Sequence, residues 1–261
     1  MDEGNGPPFV PRSTRSRAVR DGSAIHLIGD LYAVSGAHLS HRFDANAYLM
    51  LGRDIVLFDC GSPLGAPDLE RNLASLGISP RDVSAVYATH GHYDHVGGAA
   101  ALAAAGVPVY VHQGDLAAVA AAGTDRTAAY LYGEAFPVGV RPEPLAVAPF
   151  QVCGATVQVV ETPGHSPGSV SFVFSQAAQR LVIAGDAVWG CYEPVRLGSD
   201  LDVWRRSLDT LVAHEPDLLL TGHGDPEPAA DATQKLRSAR AQFGSALNPW
   251  MQFPCQALHD S

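Results

Sequence analysis

"THGHYDHVGG", residues 89–98, places three histidines and one aspartate within six positions of the chain. An apolar segment typical of a β-strand precedes it, and an alanine-rich segment typical of a helix follows it. His90 and His92 are two residues apart, so in extended chain both imidazoles point to the same side and can bind one metal ion. Asp94 and His95 come where the chain turns into the helix, so they can bind a neighbouring ion. This stretch therefore predicts a metal-binding loop at the end of a strand.

Three further candidate ligands have the same local setting. VQVVETPGHSPGS leads to His165, RLVIAGD to Asp186 and DLLLTGHGD to His223, and in each case an apolar strand and a glycine turn come first. If these strands share sheet edges, all seven side chains gather along one rim, where loops on a rigid scaffold build binding sites. A single histidine after a turn is usually a capping or surface residue. Five histidines and two aspartates in this setting indicate instead a site for zinc, iron or manganese.

The remainder of the chain alternates short apolar runs with alanine- and leucine-rich stretches, which predicts a mixed α and β fold. Strands are predicted at 24–28, 31–35, 46–51, 55–59, 83–88, 107–112, 156–161, 169–175, 180–184 and 217–221. Helices are predicted at about 68–76, 97–106, 114–123, 124–135, 201–213 and 229–244. Because there is no internal repeat or low-complexity linker, residues 23–261 are predicted to form a single domain. Residues 1–22, rich in Gly, Pro, Ser and Arg, are predicted to be a disordered tail.

Composition argues against several classes of partner. A formal net charge of −10 opposes binding to nucleic acids and to anionic membranes. No apolar run approaches the roughly 20 residues that a membrane helix needs. The cysteines contain no CxxC pair and are predicted to be reduced thiols. We therefore expect a cytoplasmic protein without a nucleic-acid or membrane partner, with its oligomeric state left open.

Four segments in this order, His90-x-His92-x-Asp94-His95, TPGHSPGS, AGDAVW and TGHG, resemble the metallo-β-lactamase superfamily of metal-dependent hydrolases. The resemblance covers about residues 24–225. It implies an α/β fold of the αβ/βα type, a four-layer sandwich in which two mixed β-sheets pack face to face between helices. It also implies a dinuclear site at one edge. In that site one metal is bound by His90, His92 and His165, the other by Asp94, His95 and His223, and Asp186 bridges the two.

The resemblance also implies a chemistry. It implies two divalent metal ions per chain, zinc in the first place and iron or manganese as alternatives. A metal ion lowers the pKa of bound water from 15.7 to about 7, so a hydroxide held between two ions is a nucleophile at neutral pH. Asp94 would act in catalysis as well, by moving a proton to the leaving group. Asp59, in LFDCGSP, matches the acidic position that orients a ligand histidine, although an aspartate that begins a turn is an equal reading.

The substrate class follows from similarity to two groups within the superfamily. The full ligand set resembles that of glyoxalase II and of N-acyl homoserine lactonases, which implies a small-molecule substrate and hydrolysis of a carboxylic ester, thioester or lactone. Asp186 argues against a β-lactamase, because those enzymes usually have a different residue there. A mononuclear iron enzyme that resembles persulfide dioxygenases is the alternative activity. A third possibility is a binding or scaffold protein that keeps the fold without the activity.

Two features near the predicted site have more than one reading. Lactonases carry a tyrosine three residues after the bridging aspartate, whereas this chain has Trp189, which could form an apolar wall for an acyl chain. Tyr192 is close enough in sequence to replace the missing phenol, or it simply packs in the core. Residues 124–139 carry three aromatic side chains at roughly helical spacing. That spacing fits a helix on the core and, equally, a cap over the metal site.

Overall fold

Thirteen β-strands lie within residues 23–242, the part of the chain that this computed structural model describes. Seven form one sheet, in which neighbours in sequence are also neighbours in space: β1 (Ile25–Ile28), β2 (Leu31–Ser35), β3 (Ala47–Leu51), β4 (Ile55–Phe58), β5 (Ala85–Tyr87), β6 (Val109–Val111) and β7 (Pro142–Pro144). The other six form a second sheet, again in chain order: β8 (Phe150–Val152), β9 (Ala155–Glu161), β10 (Val170–Gln176), β11 (Gln179–Ile183), β12 (Leu218–Leu220) and β13 (Ala229–Ala230).

Both sheets mix antiparallel and parallel pairs. Strands β1 to β4 pair antiparallel and β4 to β7 pair parallel, while in the second sheet β11 and β12 are the parallel pair among the described strands. Parallel neighbours need crossover connections, and helices fill most of them. The helices are α1 (Ala66–Ser75), α2 (Tyr93–Val96), α3 (Ala99–Ala104), α4 (Gln113–Ala120), α5 (Leu201–Ala213) and α6 (Ala232–Gln242). The longest, α5, has 13 residues, and none of the described helices has the length and apolar character to cross a membrane.

Alternation of side chains along the strands divides the core into layers. In the first sheet, Leu49 and Leu57 face the helices and pack in one apolar cluster with Leu69 of α1. Their chain neighbours Tyr48 and Phe58 point to the opposite face, where they pack against the second sheet. These strands are therefore buried on both faces, which explains why they read as nearly continuous apolar runs.

Aromatic contacts join the two sheets in the middle layer. The Phe58 ring lies 4.9 Å from that of Phe172 and 6.0 Å from that of Phe174, measured between centroids. Between those two phenylalanines, Val173 points outward and packs in a third cluster with Trp204 of α5. The order of layers is helix, sheet, sheet, helix. This confirms the predicted αβ/βα sandwich with two mixed sheets.

Each predicted strand overlaps an observed one, but three strands have no counterpart in the prediction: β7, β8 and β13. In β7 the first and last residues are Pro142 and Pro144, and the strand lies at a sheet edge, where missing N–H groups are tolerated. A proline-bounded triplet looks like a loop in sequence. Strands β8 and β13 have three and two residues, which is too short for alternation to be recognised.

The helix predicted over 124–135 is wrong. A short 3₁₀ helix, Ala129–Tyr132, forms there instead, between Ala128 and Gly133, whose φ angles are 60° and 68°. Left-handed residues at both ends interrupt the helical path, so the segment folds back over α2. The predicted tail over 1–22 lies outside the described residues. The single domain over 23–261 also extends past them and stays a prediction.

Candidate metal centre

All seven predicted ligand residues lie at one edge of the sandwich, on segments that leave both sheets. His90 and His92 follow β5, and Asp94 and His95 belong to α2. Segments that follow β9, β11 and β12 of the second sheet carry the other three: His165, Asp186 and His223. The His223 side chain is 33% exposed, and the other six residues are buried. The site is therefore nearly closed, with one accessible histidine.

Backbone hydrogen bonds connect the two sheets at this edge. The N–H of Val170 donates to the carbonyl of Thr89 at 2.8 Å, and the N–H of Asn46 donates to the carbonyl of Gly222 at 2.7 Å. Each bond joins a segment of one sheet to a segment of the other. Because Thr89 and Gly222 directly precede candidate ligands, these bonds hold ligands from different sheets in register.

His90, His92 and His165, here called the first group, lie close enough to share one ion. Their ring centroids are separated by 4.4, 4.8 and 4.6 Å, and Nε2 of His165 is 2.9 Å from Nδ1 of His92. One possible ligand atom from each lies within 4.8 Å of the others. Burial lowers the pKa of all three imidazoles. They are therefore neutral near pH 7, the form that binds metal.

Asp94, His95 and His223 form the second group. Oδ2 of Asp94 lies 3.6 Å from Nε2 of His95 and 3.3 Å from Nε2 of His223. Burial acts to raise the pKa of Asp94, but the two histidines outweigh it and lower that pKa to about 2. Burial likewise opposes a charge on His223, yet the carboxylates of Asp186 and Asp94 raise its pKa to about 10. The two carboxylates thus favour positive charge at this point, which a divalent cation can supply in place of protons.

Asp186 lies between the two groups. Its Oδ2 is 3.4 Å from Nε2 of His165 and 3.2 Å from Nε2 of His223, while its Oδ1 is 3.2 Å from Nε2 of His95. A side chain at Gly222 would collide with Oδ1, so glycine there leaves room for the carboxylate. One carboxylate thus contacts histidines of both groups, as a bridging ligand must.

Four buried polar atoms of this cluster have no hydrogen-bond partner among the described residues: Nε2 of His90, Nε2 of His92, Nε2 of His95 and Oδ1 of Asp186. The opposite ring nitrogen of His90 is engaged, because its Nδ1 lies 3.1 Å from Oγ1 of Thr89. An unpaired buried polar atom costs about 1–3 kcal/mol, which binding of a cation offsets. Imidazole and carboxylate are also the donor types that zinc, iron and manganese accept. The residues present therefore fit a divalent metal centre.

Asp59 orients one of the candidate ligands, as predicted for its acidic position. Its Oδ2 accepts a hydrogen bond from Nδ1 of His95 at 2.9 Å and from Oγ1 of Thr89 at 2.7 Å, and its Oδ1 accepts from the Thr89 N–H at 2.7 Å. Because the Nδ1 hydrogen is donated to Asp59, Nε2 of His95 keeps its lone pair toward the cluster. The predicted contact between Asp59 and one of the candidate ligand histidines is confirmed.

Tyr132, one of the three aromatic residues noted within 124–139, lies beside the second group. Its ring stacks on Tyr93 of α2 at 5.2 Å and contacts Phe43 at 5.3 Å, between centroids. Burial and the Asp94 carboxylate that the hydroxyl faces hold the pKa of the phenol well above its usual value. The hydroxyl is therefore protonated and can donate. The one available signal was the aromatic spacing within 124–139, which supports the reading of that segment as a cap.

A cavity of 360 Å³ adjoins the second group at His223. Trp189 lines it with Val188 and Pro228, and the Trp189 side chain is 46% exposed. The φ of Trp189 is 76°, a conformation that bulky residues rarely adopt and that is concentrated at functional sites. Tyr192, by contrast, packs against the outer apolar cluster.

Comparison with known proteins gives a consistent result. Residues 42–223 match the family model of the metallo-beta-lactamase superfamily. The probable metallo-hydrolase YqgX of Bacillus subtilis is 28% identical over 194 residues, which is 69% of this chain and 85% of that protein. The metallo-beta-lactamase domain-containing protein 1 of Mus musculus is 30% identical over 188 residues, 67% of this chain and 61% of that protein. Among solved structures, the MIM-2 metallo-beta-lactamase is 26% identical with a TM-score of 0.68, and the match covers 87% of this chain and 94% of that one.

Proposed function

Because the chain belongs to the metallo-beta-lactamase superfamily, whose relatives here include probable metallo-hydrolases, we propose that it is a dinuclear hydrolase of carboxylic esters, thioesters or lactones. The two ions would be divalent, with zinc as the first candidate. The observation that carries the dinuclear assignment is Asp186, whose carboxylate contacts histidines of both the first and the second group. A mononuclear site would have no need for the second group.

The contacts of the residues indicate the role of each in the proposed reaction. The first group and the second group would each hold one ion, and Asp186 would contact both. Bound divalent ions supply Lewis acidity and lower the pKa of coordinated water to about 7. Asp94 lies against His223, the partly exposed candidate ligand, where its carboxylate would accept a proton from water and pass it to the leaving group. Neither a serine nor a cysteine nucleophile is needed.

Two features support a small substrate with an apolar part. The cavity beside His223 has a volume of 360 Å³, which falls in the range of small-molecule sites. Trp189 supplies an apolar wall at that point. Asp186 favours an ester, thioester or lactone over a β-lactam, on the resemblance to glyoxalase II and lactonases. A net charge of −10 is consistent with a substrate that is not a nucleic acid.

The proposal is tested by elemental analysis of the purified protein together with a panel of ester, thioester, lactone and β-lactam substrates. We expect two zinc ions per chain and turnover of a substrate from one of the first three classes, lost on chelation and restored by zinc. Turnover confined to β-lactams would overturn the substrate class. One iron per chain, with sulfite formed from a persulfide and no hydrolysis, would replace the hydrolase with the oxygenase alternative.

The Tyr132 hydroxyl is expected to assist the reaction from its place beside Asp94. Tyr132→Phe keeps the ring stacked on Tyr93 and removes only the donor. A hydrogen bond to a charged group is worth about 1.5–3 kcal/mol, so we expect kcat to fall about 10- to 100-fold, and the free energy of unfolding to fall by no more than about 3 kcal/mol. Tyr130→Phe is the matched control, because that ring lies 4.4 Å from the Arg196 guanidinium at the outer face of the same segment. An equal kcat in Tyr132→Phe and the wild type would refute the assignment.

A further inference from the structure

Asp115 lies outside the seven candidate ligands, yet it contacts the segments that carry three of them. It belongs to the first turn of α4, and the residue is 5% exposed. Its Oδ2 accepts hydrogen bonds from the Gly91 N–H at 2.9 Å and from Oγ of Ser166 at 2.6 Å. Its Oδ1 accepts one from the Gly168 N–H at 3.0 Å. Both oxygens of this buried carboxylate are therefore used as acceptors.

The donors to Asp115 are next to the first group in sequence. Gly91 stands between His90 and His92, and Ser166 directly follows His165. One segment follows β5 of the first sheet and the other follows β9 of the second. A single carboxylate thus joins the two loops whose separation sets the distance between the first-group nitrogens.

Close packing makes this connection rigid. A Cβ at Gly91 would come within 2.8 Å of Cβ of Asp115, and a Cβ at Gly168 would come within 2.6 Å of its Cγ. Glycine at both positions lets the two backbones reach the carboxylate. The start of α4 has a second contact with the second sheet. Nε2 of His112, the residue before the helix, lies 3.1 Å from Oε1 of Glu161 at the end of β9.

We propose that Asp115 is a positioning residue that clamps the two loops together and so holds the first group at metal-binding spacing. It contacts none of the three imidazoles and acts through the backbone on either side of them. Groups that orient metal ligands typically change metal affinity 10- to 100-fold when they are replaced. The inference rests on the proposed function, because it presumes that the first group binds an ion.

Asp115→Asn tests the clamp with almost no change in volume. An amide has one acceptor oxygen, so its NH₂ must face either the Gly168 N–H or the pair of donors at Gly91 and Ser166. Zn²⁺ affinity would be measured by chelator competition on the full chain, with His165→Ala identifying which binding step belongs to the first group. In Asp115→Asn we expect the Zn²⁺ affinity of the first-group step to fall about 10- to 100-fold, and the Zn²⁺ affinity of the other step to fall by less.

Two companion variants separate positioning from general stability. Asp44→Asn alters another buried carboxylate, which accepts hydrogen bonds from the Ser62 and His41 N–H groups and from the Ser40 hydroxyl, and from neither loop of the first group. Asp44→Asn should lower the melting temperature, but it should not weaken Zn²⁺ binding at the first group more than Zn²⁺ binding in the other step. Ser166→Ala removes one of the three bonds to Asp115 and should give a smaller loss of the same kind, which keeps the test valid if Asp115→Asn does not fold.

The outcomes are distinct for the two proposals. If Asp115→Asn and Ser166→Ala bind Zn²⁺ in both steps as the wild type does, the clamp is refuted and the metal centre stands. The clamp is also refuted if both steps weaken equally and in proportion to the fall in melting temperature, because Asp115 then acts on the fold as a whole. If the wild-type chain binds no Zn²⁺, Fe²⁺ or Mn²⁺, the proposed function fails and the clamp fails with it.

Discussion

Asp186→Ala should reduce kcat/KM at least about 1,000-fold and lower the zinc content from two ions per chain toward one. The carboxylate contacts His165 of the first group and both His95 and His223 of the second. In the proposed dinuclear centre its removal would take a ligand from each ion and leave the two groups without this shared contact. A 1,000-fold loss corresponds to about 4 kcal/mol of transition-state stabilisation, within the several kcal/mol that metal-assisted catalysis supplies. Steady-state kinetics and elemental analysis on the same preparation would measure both effects.

Asp202→Ala is the control for this experiment. Asp202 is an exposed acid in the first turn of α5, and it belongs neither to the two ligand groups nor to the lining of the cavity beside His223. We expect its metal content and kcat to stay within about twofold of the wild type, because exposed charges interact weakly through solvent. If Asp186→Ala kept two ions and full turnover, the bridging role would be wrong, and the dinuclear proposal would lose its main support.

The histidine-rich loop could be predicted because its determinants are local. Two histidines two residues apart, directly after an apolar strand, are visible in the sequence alone, although β5 ends at Tyr87 and both histidines lie in the loop that follows it. The division of the ligands between two ions could not be derived in that way. The contact between Asp186 and His165 joins segments that follow β11 and β9, and nothing within either segment encodes their distance. That assignment came from the resemblance to the superfamily.

The contacts of Asp115 and Tyr132 could not be predicted from the sequence either, because they join segments that are far apart in the chain. An acid in the first turn of a helix is common, because it interacts favourably with the helix dipole. Asp115 therefore looks ordinary in sequence, and its role becomes visible only when Gly91 and Gly168 are seen packed against it. Tyr132 stood out in the sequence only as one of the aromatics in 124–139, whose spacing fitted a helix or a cap, so its position beside Asp94 was not predicted. The left-handed backbone of Ala128 redirects that segment, and residue patterns give no sign of it.

Trp204→Ala should lower the free energy of unfolding by about 3–5 kcal/mol, the usual cost of truncating a buried tryptophan. The residue is 1% exposed and belongs to the outer apolar cluster between α5 and the second sheet. Its indole Nε1 donates to the carbonyl of Ala187 at 2.9 Å, and its ring lies 5.4 Å from that of His165, between centroids. The cavity would open directly beneath two segments of the metal centre. Urea denaturation of the metal-free protein is the suitable measurement, because bound metal would add its own stabilisation.

Trp204→Phe separates the loss of the hydrogen bond from the loss of packing, and Arg205→Ala is the exposed control on the same helix. Phenylalanine keeps most of the buried volume and leaves the Ala187 carbonyl without its donor, so we expect a loss of about 1–3 kcal/mol. Arg205 is the next residue of α5 and is exposed, and its Nη1 lies 3.7 Å from Oδ1 of Asp202. Its replacement should change the free energy of unfolding by less than about 0.5 kcal/mol. If Trp204→Ala lost no more than Arg205→Ala, α5 would not be supporting the metal centre. A graded series would instead establish that the segment bearing Asp186 depends on the indole both for packing and for a hydrogen bond.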